Sequence, residues 1–198
     1  MTETIYRELA DKLNALPQGY PPTKDGSDLR LLEYLFTPAE AQLTAQLQPE
    51  FENMRELLAR IGGDRREILP KLKDLAKRGL VRFGRGETGS GFALEPFVVG
   101  FYEAQAATMN AELAELFETY YQQAFGNLLT MEPKPHRIIP VGETIDNTIA
   151  VEPYESVIDI VDRAKDWGVQ DCICRKQKAL IGDPCDHPLE VCLVTQPG

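Results

Sequence analysis

Apolar side chains recur at helical spacing through most of the first 125 residues. Ile5, Leu9, Leu13 and Leu16 share one face of a segment that stops at Pro17, with Gly19 and Pro21-Pro22 behind it, which predicts an amphipathic helix over 4–16. Ser27 stands ahead of Leu29, Leu32, Leu35 and Phe36 as the expected cap of a second helix. Thr37-Pro38-Ala39-Glu40 then combines a capping residue, a proline at the first helical position and a glutamate at the third, so a third helix follows closely. Met54, Leu57, Leu58 and Ile61 repeat the pattern over 51–61 until Gly62-Gly63 ends it. Ile68, Leu69, Leu72, Leu75 and Ala76 do the same over 64–78, with Gly79 at the stop. Pro70 cannot donate to the carbonyl four residues back, so this helix either begins near Pro70 or bends there.

Beyond Gly79 the period changes. Leu80-Val81-Arg82-Phe83 and Phe92-Ala93-Leu94 read as short strands, and 84–91 as a long glycine-rich hairpin tip. Gly84, Gly86 and Gly89 satisfy G-x-G-x-x-G, but a strand follows instead of a helix, so no helix N-terminus faces a pyrophosphate and a nucleotide site is rejected. From 96 to 125, Phe97, Phe101, Met109, Leu113, Leu116, Phe117, Tyr120 and Tyr121 predict one long helix, with Gly100 its internal weak point. Such a helix packs on a neighbouring domain or a twin subunit, which makes a homodimer the corollary. The proline-rich run from Met131 to Arg137 places a domain boundary near 127–136, with His136 inside it. Strands are expected over 137–141 and 148–151 around Asp146-Asn147, the first an edge because of Pro140. Pro153 opens a helix carrying Val157, Ile158, Val161, Ala164 and Trp167, closed by Gly168. The expected class is α+β, mainly α, in three parts: a helical unit over 1–94, a long connecting or dimerisation helix over 95–126, and a small α/β cysteine-rich module over 127–198.

Helices joined by tight turns, the last followed by a hairpin, resemble a winged helix-turn-helix domain over 27–94. The resemblance implies that the helix over 64–78 enters a DNA major groove while the hairpin over 80–94 lies along the backbone. Charge is distributed accordingly. Residues 62–94 hold eight basic groups (Arg65, Arg66, Lys71, Lys73, Lys77, Arg78, Arg82, Arg85) and four acidic ones (Asp64, Glu67, Asp74, Glu87), a net of +4, whereas the whole chain carries −10. That total excludes a generally nucleic-acid-coated surface. Arg65, Arg66, Lys71, Lys73, Arg82 and Arg85 are the candidate DNA contacts, set against the plainer readings of a solvated helix face or a protein-binding winged helix.

The chemistry concentrates at the other end. All four cysteines, Cys172, Cys174, Cys185 and Cys192, fall within 21 residues, and His187 follows the third. No apolar run is long enough to cross a membrane, and the N-terminus lacks the basic and apolar parts of a secretion signal. The expected location is therefore the cytoplasm, where four clustered thiols read as ligands of one metal centre. Three readings compete. Iron in a 4Fe-4S cluster takes soft thiolates, and Arg175, Lys176 and Lys178 would offset its negative charge. A structural zinc would use Cys172, Cys174 and Cys185 with Cys192 or His187, although C-x-C is tighter than the usual zinc pair. Disulfides or free thiols are the third.

Cys172-Ile-Cys174-Arg175, Cys185 between Pro184 and Pro188, and Cys192-Leu193 resemble the first cysteine module of cytoplasmic 4Fe-4S ferredoxin-type binding proteins, whose members precede it with a winged-helix-like region. The resemblance implies cluster ligation by Cys172, Cys174, Cys185 and Cys192 and a part in electron transfer or redox sensing. Members of that family continue into a C-x2-C-x2-C-x3-C-Pro cassette, and this sequence reaches Gly198 without one. No catalytic motif is present, so any enzymatic role is that of a component in an oxidoreductase system. Three functions follow: a redox protein that docks on a partner protein, a regulator in which cluster state alters DNA binding, and a zinc-stabilised interaction protein.

Overall fold

Helix α1 (Thr2–Asn14) turns Tyr6, Leu9, Ala10 and Leu13 into the core, and the Tyr6 hydroxyl donates to the Phe36 carbonyl at 2.8 Å. The computed structural model describes residues 2–127 and 161–196. Helix α2 (Ser27–Leu35) starts one residue earlier than the sequence implies: the cap is Gly26, at φ +74°, and Ser27 lies inside the first turn, its N–H donating to Asp25 at 3.1 Å. Behind it Asp28 is fully buried, accepting from Arg7 at 2.7 Å and from Thr23 at 2.6 Å.

Helix α3 (Pro38–Ala45) opens with the expected reciprocal cap. The Thr37 hydroxyl accepts from the Glu40 N–H at 3.4 Å, and Glu40 accepts from the Thr37 N–H at 2.7 Å. Helix α4 (Met54–Ile61) begins later than predicted, because Phe51 and Glu52 are extended. Glu52 exchanges both backbone hydrogen bonds with Phe92 at 3.0 Å, and Asn53 then caps the helix. Helix α5 (Arg65–Lys77) runs unbroken through Pro70 from its Asp64 cap, so it does not start at the proline. Pro70 and Arg66 are both exposed, and the Arg66 carbonyl that the proline leaves unbonded lies on the water side.

Strands β1 (Val81–Gly86) and β2 (Gly89–Leu94) pair from Val81↔Leu94 to Gly86↔Gly89 around the two-residue loop Glu87-Thr88. The glycines taken for a long tip are strand residues. A Cβ on Gly91 would stand 2.1 Å from the Glu52 carbonyl oxygen, and one on Gly84 would stand 2.6 Å from the Phe51 ring. They are there because the Phe51-Glu52 segment crosses the hairpin at backbone distance.

The single long helix expected over 96–125 is replaced by a broken path. Phe97–Phe101 forms an open turn with Val98 and Val99 extended, followed by α6 (Tyr102–Ala104), a tight turn at Gln105–Ala107, and α7 (Ala111–Tyr120). Asn110 restarts the helix by accepting from the Leu113 N–H at 2.9 Å. The break lets Phe97 turn inward, its ring 5.3 Å from Tyr20, 5.3 Å from Tyr120 and 4.9 Å from Phe125. Residues 95–127 therefore share one core with α1 and α2 and do not stand apart as a connector.

The second described stretch begins in helix at 161–163 and continues as β3 (Asp166–Asp171), α8 (Ile173–Leu180) and β4 (Glu190–Gln196). β3 and β4 are antiparallel and form a sheet separate from the hairpin. Trp167 and Gly168, predicted to end a helix, lie in β3 instead. The class is α+β, mainly helical, with two small antiparallel sheets. No helix among the described residues is long and apolar enough to cross a membrane. The proposed boundary near 127–136 with His136, the strands over 137–141 and 148–151, and the start of the Pro153 helix lie outside the described residues, apart from Asn127 at the edge.

Candidate functional site

Cys172 follows the last residue of β3 and caps α8: its N–H donates to the Leu189 carbonyl at 2.8 Å, and its own carbonyl accepts from the Lys176 N–H at 3.0 Å. Cys174 sits in the first turn. No side chain caps this helix, so its leading N–H groups and the positive end of its dipole point to where these two cysteines stand. Cys192 pairs with Gln170 across the sheet, and a register shift follows, so that Asp171 pairs with Glu190. That register brings Cys172 and Cys192 to the same end of the β3–β4 pair. Cys185 lies on the connection from α8 to β4, exposed like Cys174, whereas Cys172 and Cys192 are partly buried.

All four are free thiols. As a donor set they fit a thiolate-bound metal, although among the described residues no three His, Cys, Asp or Glu side chains converge on one point. His187 is exposed on the Cys185 loop. The Arg175 guanidinium donates to the Pro188 carbonyl, tying α8 to that same loop.

The remaining polar groups of α8 hold it against residues 95–127. Ile173 is buried in the main core, and Gln177 one turn later accepts from the Tyr102 hydroxyl at 2.5 Å while donating to Glu118 at 3.0 Å. Lys178 pairs with Glu118 at 2.9 Å, and the Lys176 ammonium donates to the Ala106 carbonyl. Lys176 and Lys178, expected to offset cluster charge, are thus occupied in docking the helix. Tyr102, Glu118 and Gln177 were not singled out in the sequence, and the one available signal was Gln177 at i+4 from Ile173 on the buried face of α8.

Beside this junction an apolar cavity of about 440 Å³ is lined by Phe97, Tyr102, Phe117, Tyr121, Glu103 and Cys174 among others. At its edge desolvation pushes the Cys174 thiol above its ordinary range, with the nearby Tyr102 hydroxyl acting in the opposite sense. Desolvation likewise raises Tyr102 and Glu103.

The basic residues divide into two groups. Arg65, Arg66, Lys71 and Lys73 on α5 and Arg85 on β1 are exposed and make no ion pair with a described residue. Arg82, expected among the DNA contacts, points to the other face of β1. It donates to the Pro49 carbonyl at 2.6 Å and the Leu94 carbonyl at 3.3 Å, lies 3.7 Å from Glu95, and covers the Phe51 ring at 5.3 Å. Arg82 is a structural tie and leaves the contact set. Against known proteins the chain matches no family model, no curated protein and no solved structure.

Proposed function

We propose that the segment over 166–196 ligates an iron–sulfur cluster of the 4Fe-4S type through Cys172, Cys174, Cys185 and Cys192, and that the protein serves electron transfer or redox sensing with a partner protein. The observation that carries this reading is four free thiols borne on one short β–α–β unit, two of them at the uncapped start of α8. A cluster with four cysteinates is anionic when oxidised, and free helix N–H groups favour negative charge beside Cys172 and Cys174. The bound group would supply one-electron chemistry. Arg175 would hold the Cys185 loop near α8 through its bond to Pro188, and the Gln177 and Lys178 contacts would fix α8 on the helical body. Four clustered cysteines kept as metal ligands would suit a cytoplasmic location.

The fold of 27–94 is read as a winged helix. The order α3, the Glu52–Phe92 bridge, α4, α5 and the hairpin supports it, because the bridge adds a third strand position beside β2.

Purification without oxygen, followed by an absorption spectrum and measurement of iron, sulfide and zinc, tests the cluster. The expected result is about four irons and four sulfides per chain. Cys174→Ala should lose them while the helical body stays folded. About one zinc in colourless protein would support the zinc-stabilised interaction protein in its place, and a chain that takes up neither metal overturns both readings.

A further inference from the structure

The cavity of about 440 Å³ beside α8 has a lining of two kinds. Aromatic rings supply most of it. Phe97, Phe117 and Phe125 are buried, with ring centroids 5.9 Å apart for Phe97 and Phe117 and 4.9 Å for Phe97 and Phe125. Tyr102 stands at 77° to Phe117, and Tyr121, 42% exposed, meets solvent at the rim. Such a wall is apolar yet carries negative potential on its ring faces. The second kind is charge. Glu103 is half-buried in the same lining, where its carboxylate accepts from the Gly100 N–H at 2.7 Å and makes no ion pair with a described residue. The cations nearby are engaged elsewhere: Lys178 is held by Glu118 at 2.9 Å and by Asp183 at 3.5 Å, and Arg82 faces Glu95 at 3.7 Å. Desolvation raises the Glu103 carboxyl, as expected of an acid set in an apolar wall without a counterion.

We propose that this cavity binds an organic cation, a tertiary or quaternary ammonium carried on an apolar group. A neutral apolar ligand would complete the desolvation of Glu103 and offer it nothing in return, and an anion would be repelled by it. A cation answers both the carboxylate and the ring faces. A primary ammonium carries three N–H donors and needs an acceptor for each, whereas the Glu118 carboxylate is already taken up by Lys178, Gln177 and Gln122. Alkyl groups on the nitrogen remove that demand and suit the aromatic wall. The volume lies in the range that encloses a small organic molecule, so it has room for a ring or chain beside the charged head. The inference goes beyond the cluster reading: Cys174 shares the lining, but the recognition rests on Glu103 and the rings of the helical body, whatever the cysteines hold.

Isothermal titration calorimetry of the full chain at about pH 8 with benzyltrimethylammonium, and with its uncharged carbon isostere neopentylbenzene, tests it. The cation should bind saturably, one per chain, and at least about tenfold more tightly than the isostere. Glu103→Gln should weaken the cation about tenfold and leave the isostere unchanged, while Tyr121→Ala at the rim should weaken the cation several-fold. Glu112→Gln, an exposed carboxylate outside the lining, should change nothing. Circular dichroism and the melting temperature establish that these variants remain folded. No saturable binding up to about 10 mM, equal affinity for cation and isostere, or unaltered affinity in folded Glu103→Gln overturns the proposal. The iron and zinc content of Glu103→Gln should match that of the unaltered chain, so failure here and failure of the cluster reading are told apart.

Discussion

The helical body over 2–127 and the cysteine-bearing stretch over 166–196 exclude water to different degrees. In the body, buried apolar side chains form one cluster from Tyr6 to Phe125, and Leu9, Leu32, Leu57 and Phe101 are completely enclosed. Among the described residues of the second stretch Ile173 joins that cluster and Ile181 packs against it, while Trp167, Val169, Val191, Leu193 and Val194 stay exposed. The body is held by its own apolar burial. The β3–β4 unit has too little of it, and a unit of that size is ordinarily held by a crosslink or by docking. The four thiols would provide the first, and the α8 contacts to Tyr102, Glu118 and Ala106 provide the second.

The contrast is broken most directly by truncation. Leu9→Ala should cost about 3 kcal/mol by urea denaturation, a transfer term plus a cavity that the enclosed site cannot collapse. Val194→Ala, half exposed, should change stability by less than about 0.5 kcal/mol. Equal costs would mean that the two regions are packed alike. A smaller effect tests the docking: Gln177→Ala removes its bonds to Tyr102 and Glu118, at a cost of about 1–2 kcal/mol. Hydrogen exchange should then quicken across α8 and not across α1.

The smallest effect belongs to the body alone. Burial raises the Glu95 carboxyl from 4.5 to about 7, against the attraction of Arg82 and with some help from Glu103. The folded chain therefore holds this proton more tightly than the unfolded chain does, so the contribution to stability is present below about pH 4.5 and is lost as the pH rises towards 7. Glu95→Gln should flatten the melting temperature between those values by a few degrees at most and leave α8 exchange untouched. Unchanged pH dependence in that variant would remove Glu95 as its source.

The helices of the body were legible wherever the signal was local. Thr37, Pro38 and Glu40 announce α3, and each does what its type suggests. The path over 96–125 reads as one helix because apolar residues recur at helical intervals on each side of the break, Phe97 and Phe101 before it and Met109, Leu113, Leu116 and Phe117 after it, and such spacing cannot register an interruption between two runs. Asn110 was the overlooked sign. Gly84 and Gly91 misled for another reason: a glycine required by the approach of Phe51 and Glu52 looks the same in sequence as one required by a turn. At the candidate site the cysteines were evident, while Gln177 and Tyr102 were not. Their pairing joins residues 75 positions apart, and nothing short-range encodes it.

Trp167 is the chain's single tryptophan. It lies 64% exposed on β3, paired with Thr195 of the strand that carries Cys192, and five residues ahead of Cys172. The tryptophan fluorescence of the protein thus comes from one indole, on the same pair of strands as the cysteine unit but towards its other end, and remote in sequence from the helical body. A coloured centre at the cysteines would draw off that emission by energy transfer and a colourless ion would not, so the light from one side chain reports what the site holds.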